Sequence, residues 1–93
     1  MIEGADLLAF FEEAYRRERG SRRDIRPGDR LSDDLKVESL FVTEVLVELE
    51  DRYDLRLIHD PRVWKVRTVG ELVELVCALD VEQHAGTTVG TAA

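Results

Sequence analysis

An all-α, four-helix bundle is the fold this sequence predicts, on three observations. Apolar residues recur at helical spacing in three separate segments. No segment alternates in the two-residue pattern of a half-buried strand, and start and stop residues stand where helices of that spacing should begin and end. With 93 residues the chain makes one small domain at most. Hydrophobic residues make up 44% and charged residues 35%, the balance of a globular chain rather than a disordered or membrane one.

The first helix is expected from about Ile2 to Arg19, where Leu7, Leu8, Phe11, Ala14 and Tyr15 recur on one side and Gly20 offers a stop. From Gly20 to Glu38 the period is lost. Gly20, Ser21, Pro27, Gly28 and Asp29 mark a long first loop, with Ile25, Leu31, Leu35 and Val37 as its candidate anchors. A second helix is expected from about Ser39 to Tyr53. Asp60-Pro61 reads as an N-cap followed by proline at the first helical position, opening a short third helix through about Val66. Thr68-Val69-Gly70-Glu71 is a capping-box pattern, and Val69, Leu72, Val73, Val76 and Leu79 form the apolar stripe of the last helix. The folded domain is expected over residues 1–82. Residues 83–93, small or polar, are expected to form a disordered tail. No internal repeat is visible.

Charge narrows the classes of partner. The net charge of −7 speaks against nucleic acid, whose phosphates demand a basic surface. Its distribution is uneven. Residues 1–31 hold seven acids and seven arginines and sum to zero, while residues 32–82 hold thirteen acids against six bases. The acidic half should attract basic partners. No apolar run approaches the roughly 20 residues of a membrane span. No signal peptide is expected, and the single Cys77 cannot form an internal disulfide, so cytoplasmic placement is the expectation.

The second helix has two different faces. At about 100° per residue, Val42, Val45, Leu46, Leu49 and Tyr53 share one side and should face the core. Opposite them stand Leu40, Glu44, Val47, Asp51 and, at the margin, Glu48, with Phe41 on the flank. Apolar residues interleaved with carboxylates suit transient docking, since the acids steer a basic partner and the aliphatics supply contact area. Two stray hydrophobics on an ordinary charged surface are the competing account, and from the pattern alone the slightly better one. At the helix start, Ser39 reads either as a plain cap, the commoner case, or as an accessible hydroxyl. A helix N-terminus can tolerate a covalently attached phosphate there.

Other chemistry finds little support. His59 and His84 lack metal-ligand partners at useful spacing, and no metal site is expected. Asp29, Asp33 and Asp34 lack the spacing of a calcium loop. No nucleophile–base set can be assembled, and no catalytic residue is assigned. Cys77 should pack as a small hydrophobe. Trp64 packs against the bundle or borders a pocket. The arginines from Arg16 to Arg30 read as a solvated cluster.

The string Leu31-Ser32-Asp33-Asp34-Leu35-Lys36-Val37-Glu38-Ser39-Leu40, with Glu44, Leu49, Glu50 and Tyr53 after it, resembles the acyl carrier protein family. So do the later Leu55-Arg56-Leu57, Asp60 and Thr68-Val69-Gly70-Glu71-Leu72-Val73. The resemblance covers roughly residues 31–76, about half of the chain, and rests on an ordered series of features around an Asp-Ser-Leu-type motif. It implies a four-helix bundle of the acyl carrier type, with Ser39 as the attachment point of 4′-phosphopantetheine. Glu38, Leu40, Phe41, Glu44, Val47 and Glu48 would be partner-docking residues. The implied role is carriage, not catalysis: the cofactor thiol holds an acyl chain as a thioester while the protein orients it and docks. A phosphopantetheinyl transferase, an acyl- or aminoacyl-loading enzyme, and an acyltransferase or ketosynthase are the implied partners of a monomeric chain.

Two departures bear on the pathway. Glu38 stands where the family's motif has Asp, and Phe41-Val42 follow Ser-Leu where fatty-acid-synthesis members often carry polar residues. With the arginine-rich first loop, these favour polyketide or other secondary-metabolite biosynthesis. An aminoacyl or peptidyl carrier, including the D-alanyl kind, and an unmodified helical interaction module remain the alternatives.

Overall fold

The computed structural model describes residues 2–20 and 23–85. Three α-helices carry the fold: α1 (Gly4–Arg19), α2 (Ser39–Tyr53) and α3 (Val69–Asp80). Among the described residues there is no strand, only one antiparallel bridge between Arg30 and Thr68. No helix of these residues is long and apolar enough to cross a membrane.

Helix α1 buries Leu7, Phe11, Ala14 and Tyr15, and Gly20 ends it in the left-handed region at φ 73°. Glycine enters that region without Cβ strain, and its N–H closes on the Arg16 carbonyl at 2.8 Å. Helix α2 buries Val42, Val45, Leu46 and Leu49, as its period predicts, and Tyr53 is half-buried. Phe41 joins them. Its ring meets Phe11 edge-on at 5.6 Å and Tyr15 at 6.4 Å, so an aromatic cluster fastens α1 to α2, each such pair contributing about 1 kcal/mol beyond area burial.

Past α2 the backbone turns at Asp54, also left-handed. Glu50 fixes the turn, one carboxylate oxygen accepting the N–H groups of Leu57 at 2.6 Å and Ile58 at 3.0 Å. Leu55 and Leu57 thereby drop into the core.

The short third helix predicted as far as Val66 is instead a 3-10 helix, Pro61–Trp64. Its cap is as expected: Asp60 accepts the Arg62 N–H at 2.9 Å. Pairing of the next segment stops it from growing. The Arg67 carbonyl accepts the Leu31 N–H at 2.9 Å, which requires extended backbone where an α-helix would continue.

The long first loop is therefore a structural layer. Ile25, Leu31 and Leu35 anchor it in the core, and Val37 is half-buried. Two of its carbonyls cap α3, Asp29 accepting from Val69 N–H at 3.0 Å and Pro27 from Gly70 N–H at 2.7 Å. A Cβ at position 70 would meet that Pro27 oxygen at 2.9 Å, so only glycine allows this approach. The Thr68 hydroxyl accepts from Glu71 N–H at 3.1 Å, one half of the predicted capping box.

Helix α3 buries Val69, Leu72, Val76 and Leu79 and runs on into a π-helical turn, Val81–Ala85. Within the stretch predicted as tail, Gln83 exchanges two 2.9 Å hydrogen bonds with the Arg56 backbone. His84 places Nδ1 2.7 Å from the buried Asp80 carboxylate and Nε2 3.0 Å from the Asp54 carbonyl. Residues 86–93 of that predicted tail lie outside the described residues.

An imidazole facing two acceptors satisfies both only when doubly protonated. The Asp54 carbonyl and then the Asp80 carboxylate raise the His84 pKa above its ordinary value. Burial pushes Asp80 up, but the Ile2 N–H and His84 outweigh it and hold the acid below the usual carboxylate range. A raised folded pKa means the histidine's contribution is complete below its unfolded value and is lost as pH rises through the folded one. Urea denaturation across pH 5 to 9 should show wild type losing its advantage over His84→Ala towards the alkaline end; an advantage independent of pH would contradict the charged latch.

Candidate functional site

Ser39 is the first helical residue of α2, and the cap position before it belongs to Glu38, which makes no side-chain capping bond. The plain-cap reading of Ser39 therefore does not hold. The first backbone bond of the helix runs from Val42 N–H to the Glu38 carbonyl at 3.2 Å. Among the described residues, no acceptor is found for the N–H groups of Ser39, Leu40 and Phe41. The start of α3 is different, its first three N–H groups being taken by Asp29, Pro27 and Thr68. Of these two helix starts, α2 keeps its partial positive charge directed at solvent, beside an exposed hydroxyl.

What holds that serine in place is the end of α1. One Arg19 terminal nitrogen donates to the Leu35 carbonyl at 3.0 Å and also to the Lys36 carbonyl. Its guanidinium lies over the Tyr15 ring, 5.7 Å from the centroid. Lys36 sits at φ 54°, in the left-handed region that a residue with a Cβ seldom adopts. The clamp stabilises this turn, three residues before Ser39. Nothing in the sequence pattern singled Arg19 out, because its acceptors are backbone carbonyls sixteen and seventeen residues away.

Two hollows flank the serine. A groove of about 620 Å³ is bounded by Ser39, Glu38 and Val42 on one side and by Val63, Trp64 and Arg67 on the other. A smaller one of about 310 Å³ runs between α1 and α2, lined by Arg19, Leu40 and Glu44 among others.

The predicted docking residues divide. Leu40 is 67% exposed and Val47 46%; with Glu44 and Glu48, also exposed, they form one ridge along α2. Glu48 is met by Arg17 of α1 at 3.4 Å, a surface pair of small energetic weight. Phe41 is the correction. At 7% exposure it belongs to the aromatic cluster with Phe11 and Tyr15, because a flank position on α2 is interior once α1 packs there. It supports the ridge from beneath. Cys77 is half-buried on the flank of α3, where burial raises its thiol pKa.

No protein-family model matches the chain. Curated relatives do. It is 38% identical over 53 residues to the acyl carrier protein of Acidothermus cellulolyticus, a match spanning 57% of this chain and 62% of that protein. It is 36% identical over 59 residues to the meromycolate extension acyl carrier proteins of Mycobacterium leprae and Mycobacterium tuberculosis. That match spans 63% of this chain and 50% of theirs. The chain thus spans between half and about three-fifths of the length of the curated relatives it matches.

Replacing Arg19 by alanine should cost about 1 kcal/mol in urea denaturation and speed amide hydrogen exchange selectively at Leu35 and Val37, whose N–H groups bond the Arg30 and Leu31 carbonyls, with lysine restoring part of the loss. Unchanged exchange there would show the clamp to be idle.

Proposed function

The chain is a relative of the acyl carrier proteins, and we propose that it is itself a carrier whose Ser39 bears 4′-phosphopantetheine. The observation that carries this reading is the exposed Ser39 at the first position of α2, among N–H groups for which the described residues offer no acceptor, and on the lip of a groove. These residues suit a phosphodiester: the helix start offers donors and partial positive charge, and no cap competes for them. The bound group would supply a thiol that holds acyl chains as thioesters. The chain's part is to present the serine, orient the arm and dock; it catalyses nothing.

On this reading residues 1–82 form the carrier domain, extended a little by Gln83 and His84. The 3-10 helix stands for the short third helix of a carrier-type four-helix bundle. The ridge of Leu40, Glu44, Val47 and Glu48, with Glu38 at its head, meets basic faces on a phosphopantetheinyl transferase, a loading enzyme, and an acyltransferase or ketosynthase. A monomer in the cytoplasm suits such shuttling between separate enzymes. A dedicated pathway, in polyketide or other secondary-metabolite biosynthesis, suits Glu38 and the arginine-rich loop. Phe41, being buried, no longer speaks for it. An aminoacyl or peptidyl carrier would share serine, arm and fold and differ only in cargo.

Incubation with coenzyme A and a broad-specificity phosphopantetheinyl transferase should add a single phosphopantetheinyl mass, abolished in Ser39→Ala. Unmodified wild-type protein would sink the carrier reading and leave the helical interaction module. Glu44→Lys should reduce kcat/KM for that transfer about three- to tenfold at low salt, the gap closing as salt rises, with helicity unchanged. Equal rates at low salt would remove Glu44 from the docking ridge.

A further inference from the structure

Trp64 stands across the groove from Ser39, and its setting is unusual for a large aromatic. It is 45% exposed, yet the ring is held, because Nε1–H donates to the Ile58 carbonyl at 2.9 Å. With its one polar atom satisfied inside the chain, what the indole turns outward is flat apolar surface. Val42, Val63 and Val66 line the same groove. So does Arg67, for whose guanidinium no ion pair is found among the described residues, whereas neighbouring Arg30 is paired with Asp33 at 3.3 Å.

The far wall is close. Two backbone bonds of 2.9 Å each, Leu31 N–H to the Arg67 carbonyl and Val37 N–H to the Leu31 carbonyl, link it to the segment that delivers Ser39. Ser39, Trp64 and Arg67 line this one hollow, so an arm on that serine enters it directly. Among the described residues the bundle interior is closely packed. The hollow among Phe11, Leu49, Leu72 and Val76 measures about 10 Å³, room for about one water, against about 620 Å³ for the groove.

Shape and chemistry then favour one class of cargo. A saturated alkyl chain gains most from a closed apolar cavity. An open groove with an indole face and a guanidinium favours a group bearing a second carbonyl, packed on the ring with that carbonyl accepting from Arg67. We propose that Trp64 and Arg67 select acyl groups that bear a second carbonyl, such as β-oxo thioesters, over saturated ones when the Ser39 arm lies along this groove. The inference rests on the carrier reading and adds to it the class of cargo.

Trp64 is the chain's single tryptophan, so its emission reports on the groove directly. The full chain would be prepared as apo, holo, 3-oxohexanoyl and hexanoyl forms by transfer from coenzyme A and the matching thioesters, intact mass verifying each. Acrylamide quenching of Trp64 should fall about twofold in the 3-oxohexanoyl form relative to holo, and little in the hexanoyl form, with Arg67→Ala abolishing most of the difference. Hydroxylamine cleavage of the 3-oxohexanoyl thioester should be faster in Trp64→Ala and restored by Trp64→Phe. Equal quenching in both loaded forms, or stronger protection by hexanoyl, would overturn the proposal while the mass gain upholds the carrier reading. Absence of any mass gain would overturn both.

Discussion

The fold hinges on a set of backbone hydrogen bonds between the long first loop and the start of α3: Pro27 to Gly70, Asp29 to Val69, Leu31 to Arg67. Without them the loop would have no reason to lie flat, and the first N–H groups of α3 would need other acceptors. Their effect is asymmetric. The loop satisfies one helix start and leaves the other, at Ser39, unsatisfied. It also ends the 3-10 helix early, and the space thus opened beside Val63 and Trp64 is the groove. A loop that looks like a connector sets both the electrostatics and the shape of the site.

Much of this was legible from residue order. The limits of α2 coincide with the predicted Ser39 and Tyr53, since the apolar period begins at once after an extended segment and stops where it fails. Gly20 and Thr68 acted as the punctuation they resembled, because left-handed φ and side-chain capping are local properties. Features that depend on a distant partner were not legible. Phe41 reads as flank until α1 supplies Phe11 and Tyr15. The third element reads as an α-helix until Arg67 is claimed by Leu31. Gln83 and His84 read as tail, though their partners at Arg56, Asp80 and Asp54 hold them.

Arginine plays two parts in this chain. Arg17 and Arg30 make exposed ion pairs of the kind that stabilise little. Arg19 instead donates to backbone carbonyls in a strained turn, where a planar donor satisfies two acceptors at once. The same residue type, within one neutral stretch of sequence, is solvated surface at some positions and a determinant of serine placement at another. Composition could not separate them.

The Asp80 carboxylate gathers Ile2 from the front of the chain and His84 from the back, and His84 reaches on to Asp54, just past the last residue of α2. The first and last described segments therefore converge at one pole, and α2, about 22 Å long at 1.5 Å per residue, carries Ser39 away to the other. A fluorophore placed in either of these two described segments would sit at the base of the molecule, far from Ser39.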